Sequence, residues 1–289
     1  MNLQNNLPVF RRAGYFIPLW AVLILSFLAP MPAASQISLS PTIFFIHEEE
    51  PRARLTVRNT GGTDQEIDIT PRFGYPESDD EGSLNMNYDD EEMEAARGLN
   101  EYLRVFPRRF VLEPGEFQRV RIQVRPPEAR PDGLYWTRLN ITSSEVAPDI
   151  DSPVAEEGIG TRISYRIRQN LGVFFHKGQV RTALNLDDLQ LQREDEELLM
   201  AMQLSSGGNS PYMGSMSARL LDSAGNAVAE GEWLFSVFGQ RYWPHRMEIG
   251  DLAPGRYRLD LEFTTRRSDV ASDDLPEAET VTESQFIQL

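Results

Sequence analysis

Apolar and polar residues alternate along most of this chain, and the alternation is longest between residues 162 and 175. The apolar row there consists of Ile163, Tyr165, Ile167, Leu171, Val173 and Phe175, with Gln169 as its one polar member. A period of two is that of a β-strand, because alternate side chains of a strand point to the same face. The pattern predicts one strand of about 14 residues, far longer than the usual five or six. We expect one end of it to extend beyond its own domain.

Shorter alternating segments separated by turns occupy most of the remaining chain. Before Gly178 they cover residues 36–46, 52–58, 66–70, 104–125 and 134–141, and after it they recur to the end of the chain. Many short strands with regular turns are typical of a β-sandwich. Residues 36–289 exceed one sandwich of about 100 residues and suit two. We predict an all-β fold with one domain over 36–178 and another over 179–289.

The segments between the strands carry their own signals. Residues 71–87 are rich in Gly, Pro, Asp and Asn and predict a loop, and residues 113–116 predict the turn of a hairpin. The run that begins at Asp89 predicts a short helix, with Asp89 or Asp90 as its N-terminal cap. The acidic runs lack the ligand spacing of an EF-hand, which favours a solvated loop over a calcium site. Ser268 to Glu279 is expected to be a solvated hairpin loop.

The first 35 residues have the pattern of a secretory signal. Arg11 and Arg12 precede an apolar run from Tyr15 to Leu28, and small residues follow before Gln36. An uncleaved membrane anchor is the alternative. Either interpretation places residues 36–289 outside the cytoplasm.

The chain carries a formal net charge of −16 and has no cysteine. The acidic balance argues against a nucleic-acid partner. Without disulfides, each domain must be held by its apolar core alone.

No motif of an enzyme is present. The histidines His47, His176 and His245 are scattered and show no metal-ligand spacing, and nothing in the sequence pairs two acids in a cleft. We therefore predict a binding protein, not an enzyme, with no catalytic residue, no metal, no cofactor and no small-molecule substrate.

Four sequence features resemble the PapD-like periplasmic chaperones of pilus assembly. They are the opening ISLSPTIFF, the turn FVLEPGE, the triplet LYW at Leu134, and the long strand that ends in Val173-Phe174-Phe175. The resemblance covers residues 37 to 178 and is weak beyond them.

The resemblance implies two immunoglobulin-like domains in a periplasmic protein whose long strand is lent to an incomplete pilus or fimbrial subunit, the β-augmentation mode of recognition. Ile163, Tyr165 and Ile167 are the implied donor residues. The implied partners are an exported β-rich subunit and an outer-membrane usher.

One departure from the family pattern concerns the anchor for the subunit's terminal carboxylate. The two basic residues of the family align with Ile43 and Gly172, whose side chains cannot bind a carboxylate. Arg166, Arg168 and Lys177 are the candidate substitutes.

Alternatives stay open for the donor residues and for the function. The residues at 163, 165 and 167 could instead face this protein's own core, as Leu171, Val173 and Phe175 are expected to do. Separately, the missing basic pair leaves two other functions open: a PapD-like module recruited to another exported partner, or an immunoglobulin-like structural or adhesion protein of the cell envelope or of a surface appendage, with a role in cell wall organisation.

Overall fold

The computed structural model describes residues 36–125, 129–146 and 165–289. The predicted signal segment 1–35 and the predicted donor Ile163 lie outside the described residues. Residues 36–289 form one compact unit. In the described ranges, no helix is long and apolar enough to cross a membrane.

Nine strands of the first half build two facing sheets. In chain order the strands of this half are β1 (Ile37–Ser40), β2 (Ile43–His47), β3 (Arg52–Asn59), β4 (Gln65–Arg72), β5 (Tyr75–Ser78), β6 (Leu84–Asn87), β7 (Leu103–Phe106), β8 (Arg109–Leu112), β9 (Phe117–Val124), β10 (Gly133–Glu145) and β11 (Arg166–Lys177). One sheet has the order β1-β3-β9-β7 and the other β2-β11-β10-β4-β8. The strands β5 and β6 form a separate hairpin.

The second half builds another pair of sheets. Its strands are β12 (Thr182–Glu194), β13 (Glu197–Gly208), β14 (Tyr212–Leu221), β15 (Ala227–Val237), β16 (Gln240–Glu248), β17 (Arg256–Thr264) and β18 (Val281–Gln288). The sheet orders are β12-β13-β16 and β15-β14-β17-β18.

Each pair of sheets encloses its own apolar core, which confirms the predicted all-β fold of two sandwiches. Leu55 and Ile67 are among the fully buried residues of the first core, and Met216 and Leu259 among those of the second. The described chain contains no cysteine, so burial of this apolar surface is the dominant stabilising term. The exact domain boundary at residues 178 and 179 stays a prediction.

The long strand is present within the described residues. β11 runs from Arg166 to Lys177, and Tyr165 lies just before it. The predicted first residues of the strand, 162–164, lie outside the described residues. Leu171, Val173 and Phe175 are buried in the first core, as expected.

An aromatic cluster joins the outer face of the β11 sheet to the second sandwich. Trp136 and Phe174 from the first sandwich pack there with Met213, Phe238 and Leu275 from the second. The ring centroids of Trp136 and Phe238 are 5.2 Å apart in an edge-to-face arrangement. Trp136 therefore lies at the junction, while its neighbour Tyr135 fills the first core.

Residues 71–87 are not the loop that the sequence predicts. β4 continues to Arg72, and β5 and β6 form a hairpin whose turn is closed by Asp79. The Asp79 carboxylate accepts hydrogen bonds from the backbone N–H groups of Glu81 and Ser83. Burial of Tyr75 gives this polar segment an apolar attachment that composition does not reveal.

The turn at residues 113–116 also differs from its prediction. β8 pairs with β4, whereas β9 pairs with β3 and β7. The turn thus connects the two sheets of the first sandwich and does not close a hairpin.

The short helix α1 (Glu91–Arg97) is confirmed with Asp90 as its cap. The Asp90 side chain accepts from the Met93 backbone N–H at 2.9 Å. The segment 268–279, expected to be solvated, contains a short 3-10 helix (Ser272–Asp274) followed by Leu275, which is 5% exposed in the aromatic cluster.

Phe174→Ala tests the contribution of the aromatic cluster. Phe174 is 4% exposed, so its truncation should lower the free energy of unfolding by about 3 kcal/mol. Phe106→Ala is the matched control, because Phe106 is 70% exposed and its loss should cost less than about 0.5 kcal/mol. Urea denaturation of both variants measures the difference, and equal losses would contradict the assigned packing.

Candidate functional site

One edge of β11 is open over its first residues. β10 pairs with β11 along its whole length, from Arg166 to Lys177. On the other edge, the parallel pairing with β2 covers only Gly172 to His176. Within the described chain, no strand lies beside Arg166 to Arg168 on that edge. The backbone there can accept an added strand.

The apolar row of β11 continues past the core that it helps to fill. Ile167 has the same parity as Leu171 and Val173 and therefore faces the same side of the sheet. It is half-buried, and Tyr165, one step further along the row, is 69% exposed. Two of the three predicted donor residues thus leave the core with accessible side chains. Their assignment as donors stays a prediction.

A cleft of about 290 Å³ lies between the two sandwiches next to this edge. Ile43 and Gly172, the positions of the expected carboxylate anchors, are paired across β2 and β11 and line the cleft. On its other side Gly172 pairs with Arg138 of β10, which also lines the cleft. A cation therefore stands one strand away from the position at which the family pattern predicts one.

Gly172 is a glycine for a packing reason. A Cβ atom at this position would lie 2.9 Å from Cε2 of Phe174. The ring of Phe174 stacks on Phe45, with centroids 5.1 Å apart. The aromatic cluster thus occupies the space that a side chain at residue 172 would need.

Arg138 is the most distinctive charge of the cleft. It is half-buried, and burial lowers the pKa of its guanidinium. Its Nε donates to the Gly74 carbonyl at 3.2 Å, and no carboxylate of the described chain pairs with it. Arg267, by contrast, donates to both carboxylate oxygens of Asp269, at 2.8 and 2.7 Å. The cleft therefore carries one positive charge that lacks a counter-ion.

Arg138 was not singled out from the sequence, although a signal existed. It lies two positions after the buried Trp136 and between the buried Thr137 and Leu139. A charged residue within an apolar run is the informative exception to burial patterns.

The three predicted carboxylate contacts lie apart from each other. Arg166 and Arg168 are exposed on the face of β11 that also carries Gly172. Lys177 lies at the opposite end of the strand, where its Nζ is 4.0 Å from Oδ1 of Asp132. None of the three is placed in the wall of the cleft, and their role stays a prediction.

Two histidines that look scattered in the sequence meet in the fold. His47 of β2 pairs with His176 of β11, and their rings stack with centroids 4.5 Å apart. Nε2 of His47 lies 3.4 Å from Oδ1 of Asp274, which belongs to the second sandwich. Burial and the neighbouring His47 lower the pKa of His176 to about 4. Among the described residues, no three His, Asp or Glu side chains are placed to hold a metal ion.

No family model and no curated relative matches the sequence. The fold is similar to solved structures of chaperones. The Pseudomonas aeruginosa CupB2 chaperone is 14% identical, with a TM-score of 0.41, and the match covers 87% of this chain and 100% of that chain. The periplasmic chaperone SfaE is 14% identical with a TM-score of 0.41, over 85% of this chain and 98% of that one.

The Salmonella enterica SafB chaperone, solved in complex with the SafA pilin, gives the same identity and TM-score over 86% of this chain and 95% of that chain. The assignment of two sandwiches rests on the sheets described above.

The buried His176 predicts a pH-dependent stability. Its folded pKa of about 4 lies below the ordinary value of about 6.5, so the unfolded chain binds the proton more tightly. The part of the folding stability that comes from keeping His176 neutral is fully present above about pH 6.5, and it decreases as the pH falls towards 4. Between about pH 7 and pH 5 the loss should be about 1–2 kcal/mol.

Chemical denaturation of the wild type and of His176→Gln at both pH values measures this contribution. The free energy of unfolding of the variant should change less between the two pH values than that of the wild type. An equal change in both proteins would contradict the assigned contribution of His176.

Proposed function

We propose that this protein is a chaperone of the periplasm that binds an exported β-rich subunit of the pilus or fimbrial type. The observation that carries the proposal is the row of β11, which leaves the core at Ile167 beside an open strand edge. It acts as a binding protein without chemistry of its own.

Strand addition explains why both features occur together. The open backbone at Arg166 to Arg168 supplies hydrogen bonds irrespective of the client's side chains. Tyr165 and Ile167, spaced by two residues, enter pockets of the client at the period of a strand. Ile163 extends the same row by one step in the sequence. The segment completes the client's unfinished sheet.

The cleft supplies the end point for the bound strand. The Arg138 guanidinium has no carboxylate partner in the described chain and lines a cleft large enough for a carboxylate group. A charge-assisted hydrogen bond to a terminal carboxylate would satisfy it. Arg138 thus performs the task that Ile43 and Gly172 cannot, with Arg166 and Arg168 as further contacts along the strand.

The same proposal assigns the remaining parts of the chain. Residues 1–35 act as the export signal, and an outer-membrane usher receives the subunit from the chaperone.

Tyr165→Asp combined with Ile167→Asp tests the donor row. The tagged protein is purified from the extracytoplasmic fraction of its own cells, and the protein that co-purifies in equimolar amount is identified. When the double variant is co-expressed with that client, the amount of client that it captures should fall by at least about tenfold, because two apolar contacts are replaced by charges.

Val228→Asp combined with Leu234→Asp is the matched control, since both residues are exposed apolar positions of the second sandwich. Its capture should equal that of the wild type. Undiminished capture by the Tyr165 and Ile167 variant would refute donation.

Arg138→Gln tests the anchor. Loss of a charged hydrogen bond should weaken client capture by about tenfold or more. Arg219→Gln removes an exposed arginine of the second sandwich and should leave capture unchanged. Thermal unfolding of Arg138→Gln separates the lost anchor from the lost bond to the Gly74 carbonyl. Normal capture by a stable Arg138→Gln protein would rule the anchor out.

A further inference from the structure

The outer face of the β1-β3-β9-β7 sheet carries an array of arginines. β3, β7 and β9 each alternate buried core residues with exposed ones. The outward positions hold six arginines: Arg52, Arg54, Arg58, Arg104, Arg119 and Arg121. The other outward positions on the four strands are Ser38, Ser40, Thr56, Phe106, Phe117 and Gln123. None of them is acidic. We call these twelve positions the basic face.

The strand register arranges the basic face in rows. Arg104, Gln123 and Arg52 form one row across the sheet, and Phe106, Arg121 and Arg54 form the next. Neighbouring strands are about 4.8 Å apart, and successive outward residues on one strand are about 6.7 Å apart. The guanidinium groups therefore form a two-dimensional array over one layer of the sandwich.

This array is unusual in an acidic protein. Acidic residues outnumber Lys and Arg by 44 to 28 in the whole chain. Arginines elsewhere pair with them, as Arg109 does with Asp68 and Arg246 with Glu194. Within the described residues, no arginine of the basic face has a carboxylate partner. Those with hydrogen bonds, Arg58 and Arg104, donate to backbone carbonyls.

The arrangement costs stability in the isolated molecule. Arg54 and Arg121 are direct cross-strand partners, and like charges in that position repel each other. Packing offers no compensation, because both side chains are exposed. An external anion would remove the repulsion.

Two aromatic rings accompany the charges. Phe106 is 70% exposed and Phe117 is 48% exposed. The guanidinium carbons of Arg58 and Arg119 both lie 5.5 Å from the centroid of the Phe117 ring. Apolar rings beside cations are the combination that binds the interface of an anionic bilayer.

We propose that the basic face docks on a bilayer surface through anionic phospholipid headgroups. An extended layer of guanidinium groups matches a plane of phosphates, which arginine binds in bidentate fashion. A protein partner would instead have to place acids opposite six separate positions. The second half of the chain, residues 179–289, has nine arginines and nineteen acidic residues, so repulsion turns it away from the same surface.

The proposal is independent of client capture. The basic face belongs to the β1-β3-β9-β7 sheet, whereas the open edge of β11 belongs to the other sheet of the sandwich. Docking on the bilayer and binding of a strand can therefore occur at the same time.

Vesicle sedimentation tests the docking. The protein of residues 36–289 is mixed with vesicles of equal parts phosphatidylcholine and phosphatidylglycerol, and separately with vesicles of phosphatidylcholine alone. We expect binding to the anionic vesicles only, and its loss at high salt, because salt screens the charges. The triple variant Arg54→Gln, Arg119→Gln, Arg121→Gln should bind roughly a hundredfold more weakly, since each arginine contributes about fivefold.

The matched control is Arg219→Gln, Arg256→Gln, Arg266→Gln. It removes the same charge from exposed positions of the second sandwich and should bind like the wild type. The thermal midpoint of the basic-face variant should not fall, because the variant relieves the repulsion between Arg54 and Arg121. Phe106→Ser with Phe117→Ser should weaken binding several-fold while leaving it sensitive to salt.

Three results would overturn the proposal. The first is a wild-type protein that does not bind anionic vesicles at low ionic strength. The second is an equal loss of binding in both triple variants, which would reflect net charge alone. The third is a triple variant of the basic face that loses self-association or capture of an acidic protein but keeps its vesicle binding.

Discussion

The structure depends on a five-residue segment of β11, Leu171 to Phe175, that is buried on both faces. Leu171, Val173 and Phe175 fill the first core, and Phe174 enters the aromatic cluster against the second sandwich. A strand fixed from both sides cannot shift its register, because a shift by one residue would exchange the two faces. The position of every other feature of the candidate site follows from this segment.

The two ends of β11 differ in how much of the strand edge is covered by a neighbouring strand. Towards the C-terminal end, β2 covers the outer edge and His176 stacks on His47. Towards the N-terminal end that cover ends, and Ile167 and Tyr165 emerge from the core. The open edge at Arg166 to Arg168 therefore lies beyond the first residue of β2, and the buried half of the strand holds the open half in place. Gly172, at the boundary, gives its space to the ring of Phe174.

Charge is distributed as unevenly as apolar surface. The chain as a whole is acidic, yet the outer face of the β1-β3-β9-β7 sheet holds six arginines and no acid. The single unpaired cation of the cleft, Arg138, lies on the opposite sheet of the same sandwich. The two sheets thus present their positive charge in different forms, one as an exposed array and the other as an isolated group in a cleft. These forms suit an extended anionic surface and a single carboxylate, respectively.

The sequence by itself determined most of the strands, a helix start at Asp89 or Asp90 and the core residues of β11, because alternation and capping are local properties. It missed the hairpin of β5 and β6, whose apolar attachment at Tyr75 is made by distant residues. It did not reveal that residues 113–116 connect two sheets, that His47 meets His176, or that Arg138 lies beside Gly172. Each of these depends on which strands become neighbours and in what register. Partner choice is set by packing between residues distant in the sequence, so only the tertiary structure decided it.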